Sequence, residues 1–290
     1  MRSLALLLLF VAACGPAPTP ATPLPPPPVT TPPAPRPSDA SAIERSIHVA
    51  LGAPRDGDPS DDYLMDKVQY VVDYNARLNG PNWVAWHLDR RDLGRAPRSP
   101  GFKPDDALPQ GFYVVKDHDY TGSGYDRGHL CPSADRTASP ALNATTFVMT
   151  NVHPQLHELN AGPWEKLEEH ERELAKRGRD LYIVAGGVFD REPKRIGRDP
   201  DPAHRVAVPK ASYKIIVVLE PGQGAESVRP DTEVIAVVMP NTPEVKDHAW
   251  SEYAVTIRDV ERTTGYDFLG RVPQGVQDVV ETRSPRVSAR

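Results

Sequence analysis

Cysteine is almost missing from this chain: its 290 residues hold two, Cys14 and Cys131. If Cys14 is modified, Cys131 has no partner, so the fold gains nothing from an internal disulfide or a cysteine-based zinc site and must hold by packing. Long apolar runs are missing too, because the one at residues 4–11 is too short to cross a bilayer. Nor is there an excess of positive charge: 34 Lys and Arg stand against 39 Asp and Glu, a net charge of −5. That balance argues against a protein that coats nucleic acid with its whole surface, and leaves room for a small basic groove. What is present, 39% hydrophobic and 25% charged residues, suits a globular protein with a sizeable core.

The first forty residues stand apart. Met1-Arg2-Ser3 supplies a charge, residues 4–11 an apolar core, and Ala12-Ala13 the small residues before a cleavage point, the layout of a secretory signal. Val11-Ala12-Ala13-Cys14 resembles the lipobox of bacterial lipoproteins. The resemblance implies a signal peptide at 1–13, cleavage before Cys14 and a lipid on its sulfur. Each buried methylene of an acyl chain contributes about 0.8 kcal/mol, so two or three chains hold a protein on a membrane. Between positions 16 and 37 twelve residues are proline and one, Arg36, is charged. Such a segment buries no core and populates extended polyproline II. Residues 14–40 therefore read as a lipidated cysteine and a stalk, with a reach of roughly 70 Å. The expected address is the bacterial cell envelope, with the domain in the periplasm or at the cell surface. The outer membrane is favoured over the inner, because Gly15 is not the aspartate associated with inner-membrane retention.

Residues 41–275 carry the globular pattern, and 276–290 read as a polar C-terminal tail. Strands are expected at 68–75, 83–88, 146–151, 181–189, 213–219 and 234–239, rich in β-branched residues and bounded by turns such as Asn79-Gly80-Pro81. The spacing predicts one clear helix over 163–177, opened by Pro163 and closed by Gly178, with an apolar stripe through Trp164, Leu167, Leu174 and Ala175. Glu168 falls on that inward stripe, where a carboxylate needs a partner. Arg172, four residues on, shares its face. Many strands with few helices indicate an α+β domain built on a mixed or antiparallel sheet.

The densest chemistry lies in Ser123-Gly124-Tyr125-Asp126-Arg127-Gly128-His129-Leu130. A histidine, an arginine and a carboxylate among turn-forming residues can take a proton from water while binding phosphate, although a histidine alone is as readily structural. Asn151 and Asn160 flank the loop before the helix. Asn160 is either a helix cap or a hard oxygen ligand for a divalent cation whose other positions are filled by water. Asp126 is expected to anchor a turn, Cys131 to be a small packing residue and His118 to lie on the surface. His153 and His157 lack a third ligand at zinc spacing.

In this order and spacing, His129, Asn151, Asn160 and Glu168 resemble the sugar-nonspecific DNA/RNA endonucleases of the ββα-metal family. Asp126-Arg127-Gly128-His129 matches the family signature, and the likeness continues through Val208-Pro209, Tyr213-Lys214, Met239-Pro240-Asn241 and Thr264-Gly265-Tyr266-Asp267-Phe268. The resemblance implies a ββα-metal fold with a central antiparallel or mixed sheet flanked by helices. It implies His129 as general base for water, with Asn151 beside it, and Mg²⁺ on Asn160, Mn²⁺ being the alternative. Glu168 then acts through metal-bound water, with Arg172 beside it to orient the carboxylate, while Arg127 and Arg98 grip phosphate and Arg172 joins them in binding substrate. Arg95 is the alternative to Arg98, because the loop around them aligns loosely. The implied reaction is hydrolysis of DNA and RNA without strong sequence preference, leaving a 5′-phosphate. Backbone contacts carry no base identity, which suits that tolerance. The competing expectation is a catalytically weak, envelope-anchored nucleic-acid-binding or scaffold lipoprotein.

Overall fold

A computed structural model describes residues 40–284. The signal sequence, Cys14, nearly all of the stalk and residues 285–290 lie outside the described residues. The strands are β1 (Leu64–Asp66), β2 (Val71–Asn75), β3 (Gly80–Leu88), β4 (Asp126–His129), β5 (Val152–Gln155), β6 (Asp180–Val188), β7 (Arg195–Ile196), β8 (Val206–Ala207), β9 (Ala211–Leu219) and β10 (Glu233–Pro240). The helices are α1 (Ala40–Glu44), α2 (Pro140–Thr145), α3 (His157–Asn160), α4 (Pro163–Lys176), α5 (Ile257–Thr264) and α6 (Gln274–Val280). No helix among the described residues is long and apolar enough to cross a membrane.

Six strands pair antiparallel in the order β1-β2-β3-β6-β9-β10, and β4 with β5 forms a separate ribbon. Alternation along the sheet divides the core. Val84, Trp86, Leu88, Ile183, Ala185, Ile216 and Val218 pack with Trp164 and Leu167 of α4. Trp83, Ala85, Tyr182, Ile215 and Val217 pack with Ile257 and Val260 of α5. Both faces are thus covered, which is why the central strands read as near-continuous apolar runs. Each large side chain so buried contributes roughly 1.5–3 kcal/mol. The expected α+β architecture is present, with the β4-β5 ribbon feeding α3 and α4.

Two expectations fail. Residues 146–151 do not form a strand: Thr146 Oγ1 donates to the Asn143 carbonyl at 2.8 Å, and Met149–Asn151 is a single 3₁₀ turn before β5. Met149 packs in a small cluster with Val152, Val115 and Tyr120, and Phe147 packs against Phe102 and His129, so burial produced the strand-like composition. The polar tail is the second. Residues 274–280 are helical, Val280 and Glu281 are buried, and Gln277 Nε2 donates to the Leu269 and Val272 carbonyls.

Candidate active site

β4 presents Arg127 and His129 on one face, since alternate residues of a strand point the same way. Between them Gly128 is required for space: a Cβ there would stand 2.0 Å from Gln155 Oε1 on β5. His129 is 7% exposed, wedged against Phe102 at 4.8 Å and the edge of Phe147 at 4.9 Å between ring centroids. Burial, helped by the Arg98 charge, pushes its pKa down to about 3, so the ring is neutral at ordinary pH. Its Nε2 is buried without a hydrogen-bond partner.

Arg98 lies over the same Phe147 ring at 4.8 Å and donates to Ser133 Oγ at 2.8 Å. Arg98 thus shares the Phe147 ring with His129. Arg127 stands over Tyr120 at 5.4 Å, its Nε 2.7 Å from Asp117 Oδ1. Asn151 departs from the expectation. Its Oδ1 accepts from the Cys131 N–H, and its Nδ2 donates to the Cys131 and Thr146 carbonyls. All of these bonds are to backbone, so Asn151 fixes the chain just after His129 and does not hold the imidazole.

Asn160 ends α3 and is not a helix cap: the cap of α4 is Gly162, which makes no side-chain capping bond. A Cβ at Gly162 would fall 2.1 Å from the Glu158 carbonyl, so glycine alone permits the tight α3–α4 turn. Asp126 Oδ2 accepts from Asn160 Nδ2 at 3.1 Å and lies 2.8 Å from His157 Nδ1. A carboxylate only accepts, so this contact orients the amide and leaves Asn160 Oδ1 as the free oxygen. Asp126 is therefore more than a turn anchor.

On α4, Glu168 is 3.8 Å from Arg172, and Arg172 reaches Asp135 at 3.3 Å, which also accepts from Trp86 Nε1 at 3.0 Å. Burial pushes the Glu168 pKa up to about 8, with Lys214 and Arg172 pulling it down and Glu171 and Asp135 pushing it up. The carboxylate lacks enough positive charge around it. By donor chemistry, Asn160 Oδ1, an oriented neutral oxygen, and Glu168, an under-compensated carboxylate, are the groups that could hold a hard divalent cation.

Sequence reading missed the pair beneath them. Glu171 and Lys214 are wholly buried and 2.9 Å apart, with the ammonium 4.4 Å from the centre of the Trp164 ring. The signal was there: Glu171 continues the inward stripe four residues after Leu167, and Lys214 interrupts an apolar strand. Cys131 is buried and its thiol pKa is pushed up by that burial, as a packing residue requires, and the His118 side chain is 70% exposed. His153 contacts Ser212 and His157 contacts Asp126, and among the described residues neither joins a three-ligand group.

Known proteins resemble this chain over most of its length. The family model for DNA/RNA non-specific endonucleases matches residues 50–275. The chain is 44% identical over 245 residues to a nuclease of Nostoc sp., covering 82% of this chain and 86% of that one. It is 29% identical over 247 residues to mitochondrial endonuclease G of Bos taurus, covering 80% of each. A crystal structure of an EndoG/EndoGI complex superposes with a TM-score of 0.66 at 27% identity, covering 82% of this chain and 95% of that one.

Proposed function

The chain belongs to the DNA/RNA non-specific endonuclease family, and from that membership we propose that it cuts the phosphodiester backbone of DNA and RNA with Mg²⁺, or Mn²⁺ in its place, leaving a 5′-phosphate and a 3′-hydroxyl. The observation that carries the reading is the pairing of a buried, neutral His129 with an Asn160 whose oxygen is freed by Asp126. Arg127 and Arg98 flank His129 and offer planar guanidinium forks to non-bridging phosphate oxygens. Phosphate binding exchanges the Asp117 contact of Arg127 for one with substrate. Phe102 and Phe147 hold the His129 ring and keep bulk water from its buried edge. The imidazole takes the proton of the attacking water, help typically worth about 10² to 10⁴ in rate. Asn160 Oδ1, with Glu168 acting through water, would hold the cation, which supplies positive charge to the leaving oxygen. Arg172 keeps the Glu168 carboxylate in place. We further propose that the protein is exported and anchored through lipidated Cys14, so that the enzyme meets nucleic acid at the cell envelope.

The decisive assay incubates purified protein with plasmid and with RNA in Mg²⁺, beside His129→Ala. Wild type degrades both, and the variant falls by roughly 10² to 10⁴ while keeping its circular dichroism. Equal rates from the two proteins, or no cleavage by either, defeats the proposal. For the anchor, Cys14→Ser should move the protein from the membrane to the soluble fraction.

A further inference from the structure

We propose that His87, Asp89 and Asp180 form a second divalent-cation site, suited to Zn²⁺, on the sheet face opposite α4. His87 lies near the end of β3, Asp180 opens β6 beside it, and Asp89 follows β3 directly. One donor atom from each lies within 4.8 Å of the others. All three are buried, with His87 only 7% exposed. The His87 ring is held by Tyr182, at 4.9 Å between centroids. Its Nε2 stands 3.5 Å from Asp180 Oδ2 yet makes no hydrogen bond and is closed to solvent. A buried ring nitrogen without a hydrogen-bond partner is unfavourable, and a ligand there would satisfy it.

The charge around it points the same way. Asp180 Oδ2 accepts from the Gly222 N–H at 2.8 Å, while Asp89 is gripped by Arg91, its Nε at 2.9 Å and Nη2 at 2.5 Å from Oδ2. The Arg91 side chain is 83% exposed, so it covers the carboxylate from outside and can swing away. In that position it serves as the positive charge that a metal would supply from within. A cavity of about 900 Å³, lined by the three residues, gives an entry path. One imidazole, two carboxylates and an open position for water match the donor preferences of Zn²⁺ better than those of Mg²⁺, which takes oxygen ligands. A cation there would clamp β3 to β6 and fix the start of the loop that runs on to Arg98.

The test uses metal-free full-length protein carrying Asn160→Ala, so that the active-site cation is removed, titrated calorimetrically with Zn²⁺ in excess Mg²⁺. A single Zn²⁺ equivalent should bind, and Co²⁺ in its place should give an absorption band of histidine and carboxylate ligation. Adding His87→Ala should remove the band and weaken Zn²⁺ by about a hundredfold, whereas adding Arg91→Ala should tighten it roughly tenfold by removing the competing charge. No Zn²⁺ binding by the Asn160→Ala chain, or equal binding with His87→Ala, overturns the site. Should His87→Ala fail to fold, Arg91→Ala decides, since unchanged or weaker affinity there also overturns it.

Discussion

One hydrogen bond fixes the amide of Asn160. Asparagine before a helix is ordinarily a cap, but here Asp126 takes the amide nitrogen and leaves the oxygen as the open acceptor. Replacing Asp126 with Asn removes the charge while keeping the shape, and lets the Asn160 amide rotate. We expect Asp126→Asn to weaken Mg²⁺ by about 10- to 100-fold, as loss of a partner behind a metal ligand does. The measurement is the Mg²⁺ dependence of plasmid cleavage; an unchanged midpoint would show that Asp126 does not orient Asn160. His129, Arg127, Asn160 and Glu168 could all be picked out in the sequence, because their types and order match a family signature. The walls of Phe102 and Phe147, and the backbone role of Asn151, could not. Each depends on contact between segments far apart in the chain.

Helix α4 and strand β9 carry the Glu171–Lys214 pair between them, with both charges wholly removed from water. Burial raises the Glu171 pKa while Lys214 lowers it. Cutting one partner leaves the other buried without its counter-charge. Lys214→Met should therefore cost about 3–5 kcal/mol in urea denaturation, and the double change Glu171→Met with Lys214→Met should restore much of that loss. Single and double variants of equal stability would show that the pair is not coupled. Because the pair sits under Glu168, the single change should also slow cleavage. At this scale the helix, with Pro163 at its start and Gly178 in the left-handed turn that ends it, was readable from spacing alone. The strand expected at 146–151 was not, because apolar, β-branched composition reports burial as much as strand pairing.

Across the whole molecule, the N-terminal segment is tied to the sheet by His48, whose Nε2 donates to the Val68 carbonyl at 2.9 Å while Nδ1 accepts from the His87 N–H at 3.0 Å. The bond accepted at Nδ1 needs the neutral ring, and burial pushes the pKa of that ring down to about 4 from 6.5. The unfolded chain binds the proton more readily, so this stability is full above pH 6.5 and is lost as pH falls through about 4. The contribution is at most about 3 kcal/mol. Thermal melts of wild type and His48→Gln should show a gap that narrows between pH 7 and pH 4.5, and a constant gap would rule the linkage out. By itself the sequence determined the class of fold, the central strands and helix α4, and it singled out the candidate site residues, because periodicity and motif order are local or family-wide properties. Tertiary structure alone decided which way Asn160 faces, that Asn151 binds backbone, that Glu171 has Lys214, and that His87 meets Asp180. The reason is physical: hydrogen bonds and ion pairs are made across the sheet by residues dozens of positions apart, and no spacing along the chain encodes which of them will meet.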